Sequence, residues 1–563
     1  MSLFGTIQQS NGALQAAQIG LQVVGNNIAN ANTEGYIRQR LELTPAAAVR
    51  QGGLIKGQGV RPTGITQVID QALAERMFNA GTALAGAETL ENAYSQLEEI
   101  ASELDNNGLN RQLSTFNNSL HELSTQPGDS SMREFVVLQG EALARTLQGT
   151  RQQALDRQIA VGTDLDAIGT QINRLTERIA RLNVEIATVE GGGLVGSDAT
   201  GLRDQRYRDL EELATYVDVN IQEQASGNVN VFVGGDYLIT NGIHREVYTA
   251  SGGNDGGRPE IRIVETDAPL QATSGKLGAA MQARDGIFGD YITQIDRMAS
   301  GLIRAVNEVH SQGQGRKGYD SLISDTRTET GVPLESAGLP FLPRNGTFDL
   351  AVVDLDGQAI SNHRIDVRML GQVGDSTIQS IADQIDAIDG LSAGVTNEGR
   401  LKISSESPTS QFVFGEDTSG FLAAAGINSF FTGTDAKNIG VNSLLVADPD
   451  HLAISRQGIG QDTDVLTDLV DLVDRPLEGL DGRSVRGIYE QTVAGLGQEI
   501  SLQQSATEGL RNFHATLQSK HLAITGVNID EESIKMIAYQ RAFQASSRVI
   551  STAAEMLEIL VNL

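Results

Sequence analysis

Residues 3–30, LFGTIQQSNGALQAAQIGLQVVGNNIAN, carry Ile7, Leu14, Leu21 and Ile28 at seven-residue intervals, with Leu3, Ala17 and Val24 at the half-steps. This spacing predicts a helix with a single apolar seam. Asn26 to Gly35 then stacks Asn, Thr and Gly, which compete for backbone hydrogen bonds or accept positive φ, so the helix is expected to stop near Asn30. At the far end, Met536, Phe543, Ile550 and Leu557 form a second heptad series, flanked by Ala542, Val549, Met556 and Leu563 and by Tyr539, Ala553 and Leu560. The wider stripe predicts more than one neighbour. Asp530, Glu531 and Glu532 precede it, with Asp530 the expected N-cap. Such helices are either core helices of an ordinary domain or unfinished halves that copies of the chain complete. A single stripe is marginal alone, because roughly 1 to 2 kcal/mol of backbone entropy per residue opposes about 1.5 to 3 kcal/mol per buried apolar side chain.

Between these ends, Leu165, Ile168, Ile172, Leu175, Ile179, Leu182, Ile186 and Val189 alternate steps of three and four, the strongest coiled-coil pattern in the chain. Gly191-Gly192-Gly193 should end that helix. Asp70 to Glu103, Gly108 to Thr125, Ser131 to Gly149 and Leu277 to Val309 also read as helical, and Asn228 to Val233 with Asp236 to Thr240 as a β-hairpin turning at Gly234-Gly235. From about 331 to 440 the texture changes to short strands (Phe348 to Val353, Ile365 to Arg368, Leu401 to Ser404, Phe412 to Phe414) around a helix from Ser376 to Ile388. Helical texture returns at Val465 to Val473 and Ser484 to Lys520. The fold class expected is therefore α+β: an elongated multidomain chain with long coiled-coil terminal and rod regions, both termini at one end, and an inserted β-rich module.

Composition narrows the function. The 563 residues suggest about three or four domains at roughly 100 to 200 residues each. With 42 Lys and Arg against 71 Asp and Glu, the net charge of −29 repels phosphate backbones and anionic lipid. Aromatic content is 4% with no Trp, which leaves few stacking platforms for bases. No Cys is present, which removes disulfides, thiolate catalysis and Cys–zinc sites but does not fix the compartment. The start lacks the basic and apolar regions of a cleaved leader, and no apolar run spans a bilayer. No phosphate-binding glycine loop, zincin pair or nucleophile elbow occurs. Gly57-Gln58-Gly59 and Asp354-Leu355-Asp356-Gly357 read as hairpin turns. The histidines at 121, 244, 310, 363, 451, 514 and 521 are scattered, and Asp462, Asp464, Asp468, Asp471 and Asp474 read as a solvated helix face. No catalytic, cofactor or metal residue is expected.

The stretch Asn26-Asn27-Ile28-Ala29-Asn30-Ala31-Asn32-Thr33-Glu34-Gly35-Tyr36-Ile37-Arg38-Gln39-Arg40 closely resembles the N-terminal signature of the flagellar rod, hook and hook-associated axial proteins. Glu34 stands where many members have Pro, while Asn30, Thr33, Gly35, Tyr36 and Arg38 stay in register. Gly526 to Glu532, Tyr539 to Ala545 and Ile550 to Leu557 resemble the family's C-terminal signature. Interior blocks around Ser274 to Gly278, Ala305 to Gly313, Asp417 to Gly433 and Val446 to Pro449 are similar to its hook-associated members at the hook–filament junction.

The resemblance implies a structural, non-enzymatic, extracellular subunit. It would be exported unfolded through the flagellar type III apparatus with an uncleaved signal, its C-terminal helix held by an export chaperone. It would assemble with itself as a ring of about eleven, between hook protein and a second junction protein, without nucleic acid or membrane insertion. The expected partition is a terminal domain (1–45 with 520–563) disordered in the monomer, a helical rod domain (46–330 with 440–519) and an outer module (331–439). The assembly interface expected is Ile7, Leu14, Leu21, Ile28, Asn30, Thr33, Gly35, Tyr36, Arg38, Met536, Tyr539, Phe543, Ile550, Leu557 and Leu560, with the first seam packed beside the second. Rod or hook subunit, or a secreted hydrolase on an axial scaffold, are the alternatives.

Overall fold

The computed structural model describes residues 3–51, 54–101, 108–191, 196–251, 258–372, 374–458, 462–477, 480 and 482–561. Met1, Glu103, Gly192, Gly193 and Leu563, on which the sequence reading touches, lie outside the described residues. The helices are α1 (Leu3–Ala29), α2 (Gln71–Ala101), α3 (Leu109–Thr125), α4 (Ser130–Val189), α5 (Thr200–Tyr216), α6 (Gly275–Gln282), α7 (Gly289–His310), α8 (Ile378–Asp386), α9 (Phe421–Ala425), α10 (Ser443–Ala447), α11 (Asp464–Leu472), α12 (Val485–Thr525) and α13 (Ile529–Val561). Two departures from expectation stand out. Helix α4 runs unbroken for 60 residues because the polar stretch between its two predicted halves contains good helix formers and no proline. The segment read as one helix from Leu277 is instead α6 and α7 joined by a π-helical turn, Ala283–Phe288.

The chain divides into two compact units. The first holds residues Met1–Ala93, Ile159–Arg284 and Ser501–Leu563. Strand Gln39–Pro45 pairs antiparallel with Val60–Gln67 and encloses the smaller pair Val49–Gln51 and Leu54–Lys56. Gly57 to Gly59 is therefore the corner between two strands of this nested hairpin and not its tip. Gly59 there has φ +88°, and its carbonyl accepts from Ala46 N at 2.9 Å. The core gathers Ile172, Leu175 and Ile179 of α4, Leu213 of α5, and Val231, Leu238 and Ile239 of a four-stranded sheet. The coiled-coil pattern of α4 is thus covered by a helix and a sheet of its own chain. Asn173 and Asn183 fix it there, each donating to and accepting from one strand backbone group: Val247 O at 2.7 and N at 2.8 Å, Val229 O at 2.8 and N at 3.1 Å. The predicted hairpin is Val229–Val233 with Asp236–Thr240, and Gly234 and Gly235 both take positive φ.

The second unit holds Tyr94–Gln158 and Asp285–Ile500. Strand Gly346–Asp354 lies between Ala359–Val367 and Ser410–Asp417, and Leu401–Ser405 between Ser321–Ile323 and Leu391–Val395. Helix α8, capped reciprocally by Thr377 and Ser380, buries Ile378, Ile381 and Ile385 against these sheets. The module's core begins at Tyr319 and ends at Ile427, so its first strand precedes the expected boundary at 331. The residues expected to form one rod domain are divided between the two units. All four crossings fall inside helical segments, where no linker composition could mark them. Asp354 to Gly357 is the expected hairpin turn: Asp354 Oδ1 accepts from Asp356 N and Gln358 N at 3.0 and 2.8 Å, and Gly357 has φ +81°.

Candidate assembly interface

Helix α1 packs against α13 within the first unit and rests on the strands Gln39–Pro45 and Val60–Gln67. Its buried face is Ser10, Ala16, Ala17, Gly20, Val23, Val24 and Asn27. The expected seam residues Ile7, Leu14, Leu21 and Ile28 are only half-buried. Small side chains explain the difference: the backbones approach over Ala and Gly, and the bulky positions are left beside the contact. At Gly20 an added Cβ would lie 2.6 Å from the Tyr539 ring, and at Gly12 2.9 Å from Val60 O. On α13, Met536, Tyr539, Ile550 and Leu557 are half-buried, whereas Phe543 and Leu560 are exposed. Ile534, Ile537, Met556 and Ile559 keep between 50% and 69% of their surface in water, an apolar flank that α1 does not cover.

The root of the pair is a polar cluster. Asn27, fully buried, accepts on Oδ1 from Tyr36 OH at 2.8 Å and Gln39 N at 3.0 Å, and donates from Nδ2 to Gln39 O and Glu532 Oε2, both at 3.0 Å. This fills every hydrogen-bonding position of the amide. Glu532, 1% exposed, also accepts from Lys535 Nζ at 2.7 Å. The turn between is built as its residues predict. Thr33 N donates to Asn30 O at 2.9 Å, Tyr36 N to Thr33 O at 3.2 Å, and Gly35 takes φ +73° beneath the Arg208 side chain. Arg38 N donates to Thr525 O at 2.8 Å, while its guanidinium stands 3.5 Å from the exposed Glu531 carboxylate, a contact worth little in water. Burial, then the carboxylates of Asp204 and Glu532, push the Tyr36 phenol well above its ordinary range, so it stays a donor. Burial raises Asp204 to about 6 against the opposing hydrogen bonds from Ile37 N and Gln67. The α13 cap is Asn528, whose Oδ1 accepts from Asp530 N and Glu531 N at 3.0 and 3.3 Å, and not Asp530.

Asn27 and Glu532 were not among the residues expected at the interface. Their signal was available: an amide inside an apolar stripe, and a carboxylate four residues past the cap. The acidic run resolves into separate tasks. Asp468 pairs with Arg456 at 2.7 Å, Asp474 with Arg486 at 2.9 Å, and Asp462 accepts from Ser455 Oγ and from the backbone of Arg456, Gln457 and Asp464. Among the described residues no three His, Asp or Glu side chains are placed to hold a metal, and no helix is long and apolar enough to cross a membrane.

Residues 94–321 match the family described as the helical domain of flagellar hook-associated protein FlgK, 518–563 the C-terminal region of flagellar basal body rod FlgEFG proteins, and 7–36 the flagella basal body rod proteins. The chain is 24% identical to flagellar hook-associated protein 1 of Escherichia coli (strain K12) over 99% of both chains. It is 25% identical to the protein of that name from Bacillus subtilis (strain 168), over 100% of this chain and 98% of the other. Its fold is similar to the flagellar hook junction protein FlgK from Burkholderia pseudomallei, with a TM-score of 0.50 at 16% identity, covering 80% of this chain and 100% of that one.

Proposed function

We propose that the chain, similar over almost its whole length to flagellar hook-associated protein 1 of two bacteria and matching the helical-domain family of FlgK over 94–321, is a structural subunit that joins the flagellar hook to the filament and performs no catalytic step. The observation that carries this reading is the coincidence of the terminal matches with an α1–α13 pair whose apolar flank is left open. Covering each exposed Ile or Leu of that flank by a neighbouring copy contributes about 1.5 to 3 kcal/mol, enough for assembly to order helices that a free chain holds loosely. The match over 94–321 supports a junction subunit over a rod or hook subunit.

In this reading the chain leaves the cell through the type III channel, with a chaperone on α13, and closes into a ring of about eleven between hook protein and a second junction protein. Asn30, Thr33, Gly35, Tyr36 and Arg38 connect the paired helices to the rest of the first unit. Chain lacking Cys suits passage as an unfolded polypeptide. Deleting Glu532 to Leu563 is the test. Hooks without filaments, flagellin shed into the medium, and an unchanged urea transition of the second unit are expected; filaments of normal length on such hooks would overturn the proposal.

A further inference from the structure

Two contacts between α1 and α13 share one antiparallel register. Gly20 faces Tyr539 and Asn27 faces Glu532, so residue numbers across the pair sum to 559 in both cases. The spacing is seven residues on each helix. One contact is steric, a glycine notch that receives an aromatic ring. The other is polar, an amide and a carboxylate that are both almost wholly buried.

We infer that these four residues are the register key of the terminal helix pair, specifying which stagger of α13 is accepted by α1. Heptad patterns repeat, so apolar packing alone tolerates slips of seven residues. Here a slip in one direction sets Tyr539 against Asn27 and withdraws the carboxylate from the amide. A slip in the other direction sets Glu532 against Gly20, leaves it only Lys535 of its own helix as a partner, and takes Tyr539 from its notch. Each wrong stagger thus breaks the buried Asn27–Glu532 bond, leaving one hydrogen-bonding position of the amide unfilled, and takes the ring from its notch, whereas the observed one satisfies both. A single buried polar pair is a known means of fixing helix register at some cost in stability. The partner so specified is an α13 that carries a carboxylate and an aromatic ring seven residues apart. The inference rests on the reading of α1 and α13 as the assembling part, but the two can fail separately.

The absence of Cys makes the register directly readable. Val23→Cys with Met536→Cys lies on the 559 register, and Val23→Cys with Phe543→Cys lies one heptad off it. In flagella built with the full-length chain, only the first pair should form a disulfide. With Glu532→Leu and Tyr539→Ala added, the second pair should also cross-link, and the exclusivity of the first should be lost. Should Glu532→Leu with Tyr539→Ala fail to incorporate, Glu532→Gln with Tyr539→Phe, which keep an acceptor and a ring, should restore both incorporation and the single disulfide. A disulfide confined to the first pair after both key residues are removed, or no rescue by the conservative pair, overturns the key. Normal filaments on chains lacking α13 would refute the assembly reading instead.

Discussion

In the second unit Phe348, Phe412, Phe414 and Phe421 meet in one core with none more than 1% exposed, while on α13 of the first unit Ile534 and Leu560 keep about two thirds of their surface in water. The contrast is one of side-chain size as well as burial. The module closes on itself with large rings and the isoleucines of α8. The α1–α13 pair brings backbones together over Ala16, Ala17 and Gly20 and leaves its larger side chains at the margin. A core of the first kind is complete in one chain; a surface of the second kind is stable in proportion to what later covers it.

Amide exchange in the purified monomer should show the largest difference between the two. Residues 1–40 and 521–563 should exchange with weak or absent protection, and strands Gly346–Asp354 and Ser410–Asp417 should approach the limit set by global unfolding. Full protection at both ends of an isolated chain would remove the contrast. Next in size, Phe348→Ala should lower the stability of the second unit by about 3 to 5 kcal/mol in urea titration, whereas Ile537→Ala should stay within about 0.5 kcal/mol in the monomer. Equal losses would mean that α13 is already packed.

Two buried groups, one in each unit, should also answer pH with opposite sign. In the second, buried His310 donates from Nδ1 to Asn428 O at 2.8 Å and accepts on Nε2 from Ala453 N at 3.0 Å, which fixes the neutral ring. Burial lowers its pKa from 6.5 to about 4. The folded form binds the proton less readily than the unfolded one. Its stabilisation is therefore whole above about pH 6.5 and drains away as pH falls through 4, by roughly 3 kcal/mol. In the first unit Asp204 is raised to about 6, so the folded form holds a proton that the unfolded form has released. That contribution is greatest below the ordinary carboxylate value and disappears as pH rises through 6. Exchange measured at pH 7 and pH 5 should show the His310 segment loosening and the strand Val60–Gln67, whose Gln67 donates to Asp204, tightening on acidification; movement in the same direction would contradict one of the two environments. The smallest effect is at the α13 cap, where Asn528→Ala should cost about 1 kcal/mol of helix stability and Asp530→Ala less.

Much of this was legible in the residues. The stop after Ala29, the hairpin at Gly234-Gly235, the strands of the module and the presence of a helix at each end follow from periodicity and turn chemistry. What periodicity could not supply was the identity of the facing element. The α4 seam reads as a coiled coil because a sheet and a helix present the same apolar demand to it; only Asn173 and Asn183, polar residues aimed at strand backbone, distinguish the two. The division into two units leaves no mark in composition because the chain crosses between them inside helices. At the candidate interface the periodic signal lies in the bulky seam, whereas Gly20 and Asn27 matter through a missing Cβ and a fully bonded amide.

The bond from Asn27 to Glu532 joins positions separated by 505 residues. A polypeptide released from the ribosome anywhere before Glu532 therefore possesses one half of the cluster and cannot make the other. A chain ending before Glu532 would keep three of the four partners of the buried Asn27 amide and lose the fourth, at the cost of one unmade buried hydrogen bond, about 1 to 3 kcal/mol.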